Sequence, residues 1–277
     1  MKYTIGLKIG SKYGFGDVKS LIKKGIAWGF NFFEITVSDL DQIGFYQNLT
    51  KQGIKFGVHV PHAFTPQNPV ALCATISPYQ EEAERWFKKS INLAQKLQAE
   101  YLVIHPDLPK ILEGNSRYPE GMIFAKTRQS GFDRLIKLIR NYRGNIALLA
   151  ELMPNSDYYN HNLAGSLKLK KLTGINFCFD IDHAFEVDRN IKSVINWYQG
   201  IKNWVKIFHI CDYDPKIRGH LPVGDGKINF EKFFKSNKLD SNQKFILEVL
   251  PYSAKSMEKD IVGSREKLIK LLKNEKN

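Results

Sequence analysis

The sequence is poor in cysteine, and what it has forms none of the familiar cysteine devices. Cys73, Cys178 and Cys211 are scattered through 277 residues without a CxxC pair. That excludes the disulfide framework of a small secreted domain and leads us to expect a reducing compartment, the cytoplasm. Long apolar runs are also missing: none approaches the roughly 20 residues of a membrane span, and the opening MKYTIGLKIGSKYGFGD has no signal-type apolar stretch. A membrane partner is therefore not expected. No Pro/Gly/Ser linker, low-complexity tract or compositional break divides the chain, so residues 1–277 are expected to form a single domain. A dinucleotide turn is absent, because Gly6, Gly10, Gly14 and Gly16 fail the GxGxxG spacing. Acid is in short supply: 41 basic against 28 acidic residues give a net charge of +13. Such a balance admits nucleic acid or anionic substrates as partners. However, the lysines fall largely at helical spacing beside apolar residues, in LIKKG, WFKKS and LKLKKL, as solvated helix faces do. No pattern specifies an oligomeric state.

What the chain does have is alternation. Eight short apolar runs, TIGLKIG (4–10), NFFEITV (31–37), KFGVHVP (55–61), YLVIHPD (101–107), NIALLAELM (145–153), INFCFDID (175–182), WVKIFHICD (204–212) and KFILEVLP (244–251), read as strands. They are too continuous to be half-solvated antiparallel strands and suit a sheet covered on both faces. Between them lie amphipathic stretches, including residues 18–29, 81–98 and 131–142, and residues 263–273 form a last helix. Ser77 is expected to cap the helix after ISP, with Pro78 at its first position. Eight βα units in a chain of this length close most economically into a (β/α)8 TIM barrel, an α/β fold.

Such a barrel builds its active site at the C-terminal strand ends, where titratable residues crowd in this sequence. Glu34 lies on strand 2, with His59 and His62 at the end of strand 3, and His105 and Asp107 after strand 4. Glu151 ends strand 5; Asp180, Asp182 and His183 end strand 6; His209 and Asp212 end strand 7; Glu248 ends strand 8, and His220 follows strand 7. Six of the seven histidines belong to this set, and His161 alone lies elsewhere. Carboxylates and imidazoles together suit Zn²⁺, Mn²⁺, Co²⁺ or Fe²⁺, and a divalent cation relieves the repulsion among converging carboxylates. In a pleated strand Asp182 would face as Asp180 does, with an outer bracing role favoured over ligation.

In VHVPH (58–62), LVIHPD (102–107), FDIDHAF (179–185), FHICD (208–212), HLPVGDGKINF (220–230) and FILEVLP (245–251), the chain resembles the xylose isomerase-like TIM-barrel superfamily. That superfamily holds sugar and sugar-phosphate isomerases and epimerases, inosose-processing enzymes and endonuclease IV, and the resemblance covers nearly the whole chain. It implies four metal ligands, Glu151, Asp180, His209 and Glu248, and a second metal position at His59 and His105 with Glu151 bridging. It implies Glu151 and Glu248 as the acid/base pair, His183 and Arg218 as catalytic residues holding substrate oxygens, and Glu34, His62 and His220 as substrate-facing groups. His183 and His220 also match two ligands of the third metal of the endonuclease branch. Arg218 stands where that branch has an aspartate, and a guanidinium opposes a cation. His62 and Glu34 likewise depart from that branch. The expectation is a metal-dependent isomerase or epimerase acting on a sugar or sugar phosphate through an ene-diolate. The alternatives are an endonuclease IV-like phosphodiesterase acting on abasic-site DNA and a non-catalytic metal- or sugar-binding barrel. Gly224 and Gly226 are expected to let their loop approach the substrate closely or to make an ordinary turn.

Overall fold

A computed structural model describes residues 3–10, 17–36, 42–61, 63–65, 68–69, 71–106, 127–154 and 161–273. His62 and Asp107, singled out from the sequence, lie outside them. Eight strands form a closed, all-parallel barrel: β1 (Thr4–Ile9), β2 (Phe32–Thr36), β3 (Lys55–His59), β6 (Tyr101–Ile104), β7 (Ala147–Glu151), β8 (Asn176–Asp180), β9 (Val205–Ile210) and β12 (Lys244–Leu247). Each pairs with its sequence neighbours among these eight, and β12 closes on β1. This is the expected (β/α)8 TIM barrel. Two short antiparallel pairs interrupt the alternation, β4 (Ala63–Thr65) with β5 (Asn68–Pro69), and β10 (Asp212–Asp214) with β11 (Arg218–Leu221).

The helices among the described residues are α1 (Val18–Ala27), α2 (Ile43–Lys51), α3 (Tyr79–Lys96), α4 (Arg128–Asn141), α5 (Leu163–Thr173), α6 (Ile181–Asp188), α7 (Ile191–Ile201), α8 (Phe230–Ser236) and α9 (Met257–Lys273). Local chemistry sets their starts. Asp17 accepts from Ser20 N at 3.0 Å ahead of α1, and Thr127 and Ser130 form a reciprocal capping box on α4. At α3 the boundary shifts by one residue from the sequence expectation: Pro78 is the cap and Tyr79 the first helical residue, while the Ser77 hydroxyl donates to Glu81.

Period-two alternation divides every barrel strand between two cores. One set of side chains joins the large core between sheet and helices. The other turns inward, where Phe32, Tyr101, Val103, Leu149, Cys178, Ile207 and Ile246 form a separate buried cluster that plugs the barrel. Gly57 belongs to this layer; a Cβ there would collide with the Tyr101 ring, which stacks on Phe32 at 5.8 Å. Two residues further along the same strands the inward side becomes ionisable: Lys8, Glu34, His59, His105, Glu151, Asp180, His209 and Glu248. The apolar plug is thus the floor of a charged mouth.

Candidate metal centre at the barrel mouth

Four strand ends bring Glu151, Asp180, His209 and Glu248 together, each offering a donor atom within 4.8 Å of the others. His209 Nδ1 lies 2.9 Å from Glu248 Oε2, 3.4 Å from Glu151 Oε2 and 3.8 Å from Asp180 Oδ2. Despite these neighbours it is buried without an aligned hydrogen bond, as is Asp180 Oδ2. Donors ringed about a common centre and aimed past one another are what a cation site requires. The other ring nitrogen, His209 Nε2, is 3.1 Å from Glu34 Oε2. With a cation in the centre, donation from Nε2–H to that carboxylate would present the Nδ1 lone pair to the ion; in the metal-free protein, although burial opposes it, the surrounding carboxylates favour the protonated ring. Glu34, expected to face substrate, is fully buried and lies against His209 Nε2.

A second group shares Glu151. His59 Nε2 is 2.7 Å and His105 Nε2 3.1 Å from the same Oε2, so two imidazoles converge on one carboxylate oxygen. His59 Nδ1 meets the Val60 carbonyl at 2.7 Å, which orients its ring. His59, His105 and Glu151 also place donor atoms within 4.8 Å of one another.

Asp180 does two jobs. Its Oδ1 accepts from His183 N at 2.9 Å and so caps α6, while Oδ2 faces the centre. Because the chain turns helical at Ile181, Asp182 does not continue the pleat as the sequence suggested. It lies in the first turn of α6, where its Oδ2 accepts the backbone N–H of His220 at 2.8 Å and the Cys211 thiol at 3.3 Å. His183 Nδ1 meets the Leu152 carbonyl at 2.9 Å, beside Glu151 Oε1 at 3.3 Å. His220, with φ +52, sits 3.3 Å from Cys211 Sγ and 4.0 Å from Glu248 Oε1.

Arg218 is drawn aside. It donates to the Leu250 carbonyl at 2.5 Å and lies over the Tyr252 ring, and among the described residues it makes no ion pair with the carboxylates of the mouth. Asp212 is a brace: its carboxylate accepts the N–H groups of Tyr213, Gly224 and Ile228 at 2.8, 2.9 and 3.0 Å. Gly226 lacks a side chain because a Cβ would strike Asp212 Oδ1 and the Tyr213 carbonyl. The close approach made by this glycine loop is therefore to Asp212.

Among the described residues, Lys8 is a member of the ionisable layer of the mouth that the sequence reading overlooked. Its Nζ is 2.7 Å from Glu248 Oε2 and 3.7 Å from Glu34 Oε1. The signal was a lone charge at an inward position of an apolar strand, in register with Glu34. Electrostatics in the mouth follow from these contacts. Burial opposes the charge on Glu151, but His105, Lys8 and His209 hold its carboxyl well below the usual range. Burial likewise opposes the charge on Glu248, which Lys8 and His209 outweigh. Asp180 is pushed up to about 7 by burial and by Asp182 and Glu151, with His183 pulling the other way. His183, though buried, is raised to about 10 by Asp180 and Glu151. Burial lowers His220 to about 4.

Residues 22–261 match the model of a family described as xylose isomerase-like TIM barrel. Over 172 residues the chain is 23% identical to the uncharacterized protein MJ1614 of Methanocaldococcus jannaschii; the match covers 59% of this chain and 61% of that one. Among solved structures, a D-tagatose 3-epimerase-like protein superposes with a TM-score of 0.73 at 17% identity, covering 99% of this chain and 98% of the other. Endonuclease IV from Thermus thermophilus superposes at 0.65 with 15% identity, over 96% and 99%. At these identities the structural likenesses speak for the fold.

Proposed function

The chain belongs to the xylose isomerase-like TIM barrel family, and from that premise we propose that it is a divalent-metal-dependent isomerase or epimerase of a sugar or sugar phosphate. The observation that carries this reading is the placing of two ionised glutamates, Glu151 and Glu248, against one donor nitrogen, 3.4 and 2.9 Å from His209 Nδ1. Glu151, Asp180, His209 and Glu248 would hold a Zn²⁺, Mn²⁺, Co²⁺ or Fe²⁺ ion. Such an ion supplies Lewis acidity, acidifying the carbon next to a carbonyl and favouring the ene-diolate.

The side chains supply the rest. Both glutamates are held in the ionised form, the state a proton acceptor needs. One removes the proton from carbon and the other returns a proton from across the substrate. His183, kept protonated and fixed by the Leu152 carbonyl, offers a charged donor for a substrate oxygen. Glu34 holds the His209 ring in the tautomer that ligation requires. Lys8 adds a positive charge beside Glu248 that favours the developing oxyanion.

A second reading has its own observation. The convergence of His59 and His105 on Glu151 Oε2 supports a two-metal centre, which suits phosphodiester hydrolysis at an abasic site. One experiment separates the two. Metal-loaded protein is incubated in deuterated water with a panel of ketoses and ketose phosphates, and in parallel with abasic-site DNA. We expect metal-dependent deuterium incorporation or epimer formation, lowered at least ~100-fold in Glu151→Gln and in Glu248→Gln, with the DNA uncut. Cleavage of abasic DNA by wild type that Glu151→Gln abolishes, without turnover of any sugar, overturns the proposal.

A further inference from the structure

Beyond the carboxylate-rich centre, three elements bring a different donor set together on the rim of the mouth: Asp182 from the first turn of α6, Cys211 between β9 and β10, and His220 from β11. We propose that these three residues form a separate, thiolate-containing site for a divalent cation of the zinc type. Cys211 Sγ is 3.3 Å from Asp182 Oδ2 and 3.3 Å from His220 Nδ1, and the latter two are 3.8 Å apart. Metal–ligand bonds of about 2.0–2.3 Å at tetrahedral angles put donor atoms roughly 3.3–3.6 Å apart. The two separations from sulfur match this spacing and the third is slightly longer, so a small side-chain adjustment would complete one face of a coordination tetrahedron, with a fourth position left for water or substrate.

Burial points the same way. Asp182 is 1% exposed, and its second oxygen, Oδ1, is buried without a hydrogen-bond partner. A cation is the efficient compensation for such a group. Cys211 is fully buried, whereas His220 is partly open, so the rim has an access path. The backbone of His220 is fixed at both ends, its N–H by Asp182 and its carbonyl by Leu250 N at 2.8 Å. This donor set differs from the third position implied by the sequence resemblance, which pairs His220 with His183 and includes no sulfur, and Arg218, standing where that position has an aspartate, is turned to the Leu250 carbonyl.

Sulfur makes the site selective. A thiolate favours zinc-like ions, while the carboxylate and imidazole donors around Glu151 also accept harder ones. The barrel would then carry two chemically distinct kinds of cation position. On binding, the Cys211 S–H bond breaks, the proton leaves to solvent and sulfur donates its electron pair to the ion. This inference does not depend on which reaction the mouth performs.

Cobalt(II) tests it, because a thiolate ligand gives a near-ultraviolet charge-transfer band that oxygen and nitrogen donors lack. Chelator-stripped full-length protein is titrated with Co²⁺ while the band and the bound-metal stoichiometry are followed. We expect the band in wild type and in Cys178→Ser. Cys211→Ser should lose it, together with one equivalent of bound cobalt. Cys178, in the plug just beneath the mouth, has its sulfur within 4.8 Å of donor atoms of Glu151 and His209, so this control assigns the sulfur. Should Cys211→Ser fail to fold, His220→Gln keeps the thiol and should weaken cobalt binding at the band at least tenfold. A saturated wild type without the band overturns the proposal, as does a band that survives in Cys211→Ser or an affinity untouched in His220→Gln.

Discussion

His183 shows how far one side chain can be carried from its solution behaviour. Burial opposes its charge, yet Asp180 and Glu151 raise it to about 10, whereas a free imidazole titrates near about 6.5. The folded, metal-free protein thus keeps a proton that the unfolded chain releases. The resulting stabilisation is complete below about pH 6.5 and is lost as the pH rises toward about 10. Asp180, lifted to about 7 chiefly by burial, acts with the same sign between about pH 4 and 7. In chelator-stripped protein the urea midpoint should therefore fall from about pH 6.5 to 10, and fall less steeply in His183→Gln; equal slopes would disprove the assignment. At this scale the sequence was informative wherever an ionisable residue stood two positions past an inward apolar one, as Glu151 follows Leu149 and His209 follows Ile207. It misled where geometry changed within one residue. FDIDHAF was read as pleat to Asp182, although Asp180 followed by helical spacing is also the signature of an N-cap. Lys8 was hidden by number, one of 41 basic residues of which most read as solvated.

Elements tell a similar story. The eight barrel strands were legible because each is buried on both faces and so reads as an apolar run. The β10–β11 pair was not, because strands of three and four residues with a register shift carry no period. Their order comes from one carboxylate. Asp212 gathers three backbone N–H groups from Tyr213, Gly224 and Ile228, and the loop closes around it. Hydrogen bonds to a charged acceptor are worth about 1.5–3 kcal/mol each, and these share one carboxylate. Asp212→Ala should cost about 3 kcal/mol in denaturant unfolding. Amide exchange should accelerate at those three positions before it does in the barrel strands. Unchanged protection there would show that the loop is held by its other contacts.

For the molecule as a whole, the mouth concentrates charge that folding alone leaves poorly balanced, so cations and stability are linked. A cation that binds only the folded state at 100 times its dissociation constant adds about 2.7 kcal/mol. For a chain of this size that is roughly 5–10 °C in melting temperature. Manganese, which a thiolate-containing site disfavours, should raise the thermal midpoint of stripped wild type by this amount and raise that of Glu151→Gln far less; an equal rise in both would place the ion elsewhere. The +13 charge is a property of the whole chain, and among the described residues no helix is long and apolar enough to cross a membrane. The plug of Phe32, Tyr101, Val103, Leu149, Cys178, Ile207 and Ile246 closes the barrel beneath the ionisable layer. Under the proposed reaction the plug makes the mouth a cul-de-sac: among the described residues nothing leads through the barrel, so a product would back out on the side where substrate entered. Release would then delay the next arrival, and turnover would depend on how quickly the visitor leaves as much as on what happens to it inside.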